Sequence, residues 1–113
     1  MTKKERFNLF KKECLRWLDR FKIDDYGIRF GTETDSGSRA EIDLSQVESG
    51  VLYFHFNVDI EMTATQVKNS AKHEVIHALL ADMTFWGSKR FASQSQLYEA
   101  NERLVRKLQN IIS

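Results

Sequence analysis

The chain has 113 residues, 42% of them hydrophobic and 29% charged, with a formal net charge of +1. That is room for a single domain, 1–113, with one modest core, and a balance so near neutral gives no sign of nucleic acid, an anionic membrane or an acidic substrate as partner. The one cysteine, Cys14, has no internal disulfide partner, and no apolar run has the length of a membrane span or the form of a signal-peptide core, so the expected setting is the cytoplasm.

Over residues 3–22, Phe7, Phe10, Cys14, Leu18 and Phe21 recur at helical spacing with Lys and Arg opposite, which predicts an amphipathic helix. Asp24-Asp25 breaks it. Three short strands are expected next. Tyr26, Ile28 and Phe30 alternate with smaller or charged residues, and a polar loop over 32–38 ends that run. Ala40, Ile42 and Leu44 alternate with Glu41 and Asp43. Leu52, Phe54, Phe56, Val58 and Ile60 point one way, and Tyr53, His55, Asn57 and Asp59 the other. Such alternation means a sheet with one buried and one wet face, and the short connections suggest mainly antiparallel pairing.

Thr63-x-x-Gln66 has the form of a capping box and should open a helix over about 64–82. A loop over 84–90 separates it from a last helix, capped by Ser93-x-x-Gln96, whose buried stripe is Leu97, Ala100, Leu104, Leu108 and Ile111. The expected class is α+β: an N-terminal helix, a small three-stranded, mainly antiparallel sheet, a motif helix and a C-terminal helix.

The chemistry is concentrated in His73-Glu74-Val75-Ile76-His77. Four residues apart on a helix, His73 and His77 share one face, so both imidazoles reach one Zn²⁺. Glu74 projects to the side, where it is placed to act as general base. In the His-Glu-x-x-His motif the zinc lowers the pKa of a water to about 7 and the glutamate receives the proton. Val75, Ile76, Leu79, Leu80 and Met83, with Ala71 and Ala78, make the helix apolar over much of its surface. Two histidines and a glutamate on a helix buried on most sides would cost free energy without a partner, and a metal is the simplest one. The plainer reading is two surface histidines, with Glu74 paired to Lys68 or Lys72.

A hydrolytic zinc site needs a third protein ligand and an open fourth position. His55 lies on the wet face of its strand, and Asp82 is too close along the same helix to reach back. The last helix offers Glu102 and Glu99. A helical wheel sets Glu102 nearer the buried stripe; both can instead pair with Arg106 and Arg103 one turn on. Tyr98, one turn before Glu102, is a candidate hydrogen-bond donor to a developing oxyanion, with a half-buried structural role as the alternative. Phe85, Trp86 and Phe91 either wall a substrate pocket or close the core beneath the loop.

The segments Lys72-His73-Glu74-Val75-Ile76-His77-Ala78-Leu79-Leu80 and Glu102-Arg103-Leu104-Val105-Arg106-Lys107-Leu108 resemble the minimal zincin-type metallopeptidases of bacteriophages and prophages. More distantly the chain is similar to SprT-like and ImmA/IrrE-like metallopeptidases. The resemblance implies a helix, a three-stranded sheet, the motif helix and a final helix as the whole protein. It implies zinc held by His73, His77 and a glutamate of the last helix, with Glu74 as base and a peptide or protein as substrate. It places the protein in a bacterial or phage-infected cell. The spacing in the second segment maps the third ligand to Glu102, whereas Glu99-Ala100-Asn101 resembles the ImmA-like pattern and points to Glu99. Two rivals stand beside a zinc peptidase: a zinc-binding interaction module without hydrolysis, and a SprT-like nucleic-acid-associated protease. The second predicts a basic stripe, and the balanced charge counts against it.

Overall fold

The computed structural model describes residues 1–88 together with Glu102 and Arg106. Among these, helix α1 (Lys3–Arg20) precedes strands β1 (Gly27–Gly31), β2 (Ala40–Asp43) and β3 (Val51–Phe56), and helix α2 (Ala64–Ser88) follows them. A single 3₁₀ turn, Val47–Ser49, lies between β2 and β3. The fold is α+β, as expected. No helix of the described residues is long and apolar enough to cross a membrane.

Helix α1 begins at a reciprocal capping box. The Glu5 N–H donates to Thr2 Oγ1 (3.1 Å), and the Thr2 N–H donates to Glu5 Oε1 (3.0 Å), which satisfies donors that a bare helix end leaves open. The helix ends at Arg20, before Lys22, the only non-glycine described residue with positive φ (60°). The Lys22 N–H bonds to the Asp19 carbonyl and the Ile23 N–H reaches the Leu18 carbonyl. This is a Schellman closure with lysine where glycine is usual, and buried Ile23 packs beneath it.

Strand β3 lies at the centre of the sheet, in the order β1-β3-β2. It pairs antiparallel with β2 and parallel with β1, so the sheet is mixed rather than mainly antiparallel. The strands β1 and β2 do run in opposite senses, as their short connection demands, but β3 stands between them. Its alternation explains why: Leu52, Phe54 and Phe56 are fully buried, and Val51, Tyr53 and His55 are half-exposed. The most apolar strand takes the place where its backbone pairs on both sides. Phe10 of α1 stacks on Phe56 at 4.6 Å between ring centroids, and Phe30 of β1 on Phe54 at 5.7 Å. Cys14 and Leu18 of α1, with Phe21 at its C-cap, join Val67, Ala71, Val75, Ala78 and Leu79 of α2 in the same core.

The two helices run in the same direction. Near the start of α1, Lys3 pairs with Asp59 and the Arg6 guanidinium donates to the Val58 carbonyl (2.9 Å). Farther on, Lys72 lies over Trp17, and beyond α1 the Tyr26 hydroxyl donates to Asp82 (2.9 Å). Contacts thus ascend together along both segments. Helix α2 opens at the expected box: the Gln66 N–H donates to Thr63 Oγ1 (3.2 Å) and the Thr63 N–H to Gln66 Oε1 (3.0 Å). Thr63→Ala should lower stability by about 1 kcal/mol; urea melts of the two proteins measure it, and an unchanged midpoint would leave the box without energetic weight.

The loop expected over 84–90 is corrected in its first part. Helix α2 continues through Thr84, Phe85 and Trp86 to Ser88. No proline interrupts this stretch and its first glycine is Gly87, so nothing in the local sequence stops the backbone ladder earlier. The expected C-terminal helix falls outside the described residues except at Glu102 and Arg106, both helical.

A candidate metal centre on helix α2

His73 and His77 converge. Their Nε2 atoms lie 3.2 Å apart, and the rings meet edge to face with centroids at 4.7 Å. Two nitrogens each about 2.0–2.1 Å from one tetrahedral zinc would be roughly 3.3–3.4 Å apart. The spacing therefore fits two ligands of one ion. It also fits a single N–H···N hydrogen bond between neutral imidazoles of opposite tautomer. Both histidines are exposed, so the expectation that burial forces a partner on them does not hold. The helix buries Val67, Ala71, Glu74, Val75, Ala78, Leu79 and Asp82 and turns the two imidazoles outward.

Glu74 is the residue that burial does affect, at 6% exposure. Burial pushes its carboxyl above the ordinary range; the charge of His73 opposes this, and Glu41 of β2 adds to it. Glu74 thus feels both the imidazole of His73 and a carboxylate of the sheet edge. Cys14 of α1 is also close enough to feel its charge: burial, then Glu74, then Glu13 push the thiol far upward. Cys14 is a core residue and stays protonated. Neither Glu41 nor Cys14 has a motif-level signal, because each comes to Glu74 through packing alone.

The other expected participants are placed as follows. Asp82 is buried and accepts the Tyr26 hydroxyl. His55 stacks on Tyr53 (centroids 4.2 Å, interplanar angle 5°) on the half-exposed side of β3. Its ring lies across Gly31 of β1, where a Cβ would come within 2.8 Å of His55 Nδ1. Gly31→Ala should therefore cost about 1 kcal/mol, part of it recovered when His55→Ala is added, the rest resting on Tyr53, whose ring would lie 3.1 Å away. Denaturant midpoints of the two single variants and the double variant test this; equal losses with and without the histidine would break the link.

Glu102 is half-buried, and the Arg106 side chain donates to its backbone carbonyl (3.4 Å). Among the described residues, no group of three His, Cys, Asp or Glu side chains is assembled that would hold a metal ion. Glu99, Tyr98 and Phe91 lie outside the described residues, as do the side chains of Phe85 and Trp86. Compared with known proteins, the chain has no matching family model, no matching curated protein and no matching solved structure.

Proposed function

We propose that the chain is a zinc-dependent hydrolase of peptide bonds, with His73 and His77 holding the metal and Glu74 acting as general base. The observation that carries this reading is the 3.2 Å approach of the two Nε2 atoms on an exposed helix face, beside a buried carboxylate of raised pKa. Glu102 is the proposed third ligand, with Glu99 as alternative. Zinc, when bound, would supply Lewis-acid activation of water at neutral pH.

The chain's own residues divide the remaining work. The imidazoles would hold the metal through the converging Nε2 atoms, which would leave each Nδ1 for a second partner. Glu74 takes a proton at its carboxylate and returns it to the leaving amine. Burial makes it a stronger base than an exposed glutamate and brings its affinity for protons closer to neutrality. A sheet edge offers an extended peptide a place to add as a strand, and β2 is an edge strand in contact with α2. Metal analysis with Glu102→Gln and Glu99→Gln separates the two candidate ligands: the true one should lose zinc, and loss in neither removes both from the site.

A second reading has its own support. Both histidines are exposed, and the described residues assemble no third ligand beside them. A zinc-binding module without hydrolysis would need no more than this. Zinc in the purified chain with no cleavage of a peptide library, unaltered by Glu74→Gln, would favour it.

A further inference from the structure

Trp17 is the meeting point of three cations. The guanidinium carbons of Arg16 and Arg20 lie 5.0 and 5.2 Å from its ring centroid, and the Lys72 ammonium 4.9 Å. The indole is only 9% exposed, so these charges form the surface above it, where α1 meets α2. No two of them are more than about 10 Å apart, close to the Debye length of roughly 8–10 Å in dilute salt. They repel one another, and contact with the ring face offsets part of that cost. Arg16 has a carboxylate partner, the buried Glu13 at 3.1 Å. Among the described residues, Arg20 and Lys72 have none within ion-pair distance.

The pattern extends along both helices. Lys12, Arg16 and Arg20 are four apart on α1 and exposed; Lys68 and Lys72 are four apart on α2, the first exposed and the second half-exposed. Residues four apart follow one side of a helix. The helices run in the same direction with Trp17 against Lys72, so the cations form two adjacent rows over roughly 12 Å of helix. Asp19 is the exposed acid on that stretch of α1.

We propose that this seam binds the phosphate backbone of nucleic acid. The guanidinium of Arg20, three ammonium groups and the Arg16 guanidinium that Glu13 partly occupies, in parallel rows, suit a regular, dense array of phosphate oxygens. A duplex carries one negative charge per ~1.7 Å of axis, enough to engage several of these cations at once. Trp17 is too buried to stack on a base, so the contact reads backbone and not sequence. The balanced net charge hides the patch, because acids such as Glu33, Asp35, Asp43 and Glu48 lie in the sheet and its connections. The inference does not rest on the zinc reading.

The test is fluorescence anisotropy of a short labelled duplex, and of the matching single strand, from ~50 to ~200 mM salt. Binding is expected at low salt, with log affinity falling against log salt at a slope of about −3 to −4. Arg20→Glu with Lys72→Glu should weaken it at least ~10-fold and flatten the slope by about 2, whereas Lys4→Glu should change it little. Arg20→Gln with Lys72→Gln, checked for an unchanged Tm, should show a smaller loss in the same direction. Absence of binding at ~50 mM salt would overturn the proposal, as would binding indifferent to both double variants. So would equal, equally seam-dependent binding of polyglutamate or of phosphatidylserine vesicles, which would assign the patch to another partner.

Discussion

Zinc added to metal-free protein should raise its Tm by roughly 10–20 °C when the free metal reaches about a hundred times its dissociation constant. Binding to the folded state alone contributes about 2.7 kcal/mol at that ratio, and 1 kcal/mol moves the Tm of a domain of this size by roughly 4–8 °C. His73→Ala and His77→Ala should each abolish the shift. In the absence of metal the same variants should change stability by no more than about 0.5 kcal/mol, because both side chains are exposed. This contrast separates a ligand from a structural histidine. Thermal melts with and without zinc, together with metal analysis, give the answer. A wild-type melting curve indifferent to zinc, with no metal in the purified chain, would remove the site.

Glu74→Gln should retain zinc and lose activity by about 10²–10⁴-fold, the usual contribution of a positioned base. Its effect on stability should run the other way. Burial raises the folded-state pKa of Glu74 above its unfolded value. The folded chain therefore holds this proton more tightly, and that stabilisation is present at acid pH and lost as pH rises through the folded-state value. At neutral pH the metal-free protein carries the cost of a buried carboxylate, which glutamine does not. The metal-free Tm of Glu74→Gln should then exceed that of the parent at neutral pH and converge with it toward acid pH. Full turnover in the variant would exclude Glu74 as base, and a lower Tm at neutral pH would show that its charge is paired more strongly than its surroundings suggest.

Much of the fold is legible because the signals are local. Leu52, Phe54 and Phe56 against Tyr53 and His55 give β3 its two faces, and the structure keeps them. Phe10, Cys14 and Leu18 fix the buried side of α1, and Thr63 with Gln66 fixes the start of α2. The capping box of Thr2 and Glu5 has the same form and was equally open to reading. Other features have no local signal. The end of α1 depends on Lys22 accepting a left-handed conformation in exchange for two backbone hydrogen bonds and the burial of Ile23. Strand order depends on a competition among three strands for the central position, and only the assembled sheet decides it.

The candidate site divides in the same way. The sequence by itself determined that His73 and His77 share a helix face with Glu74 beside them, because a helix turns by a fixed angle per residue. Only the tertiary structure decided which of these residues is buried. Packing of α2 on the core buries Glu74, within electrostatic reach of His73, Glu41 and Cys14, and leaves the two imidazoles in solvent. It also brings Lys72 to Trp17, where two cations of α1 already lie. Periodicity is a property of one segment, whereas burial and the meeting of charges belong to the neighbours that a segment acquires on folding.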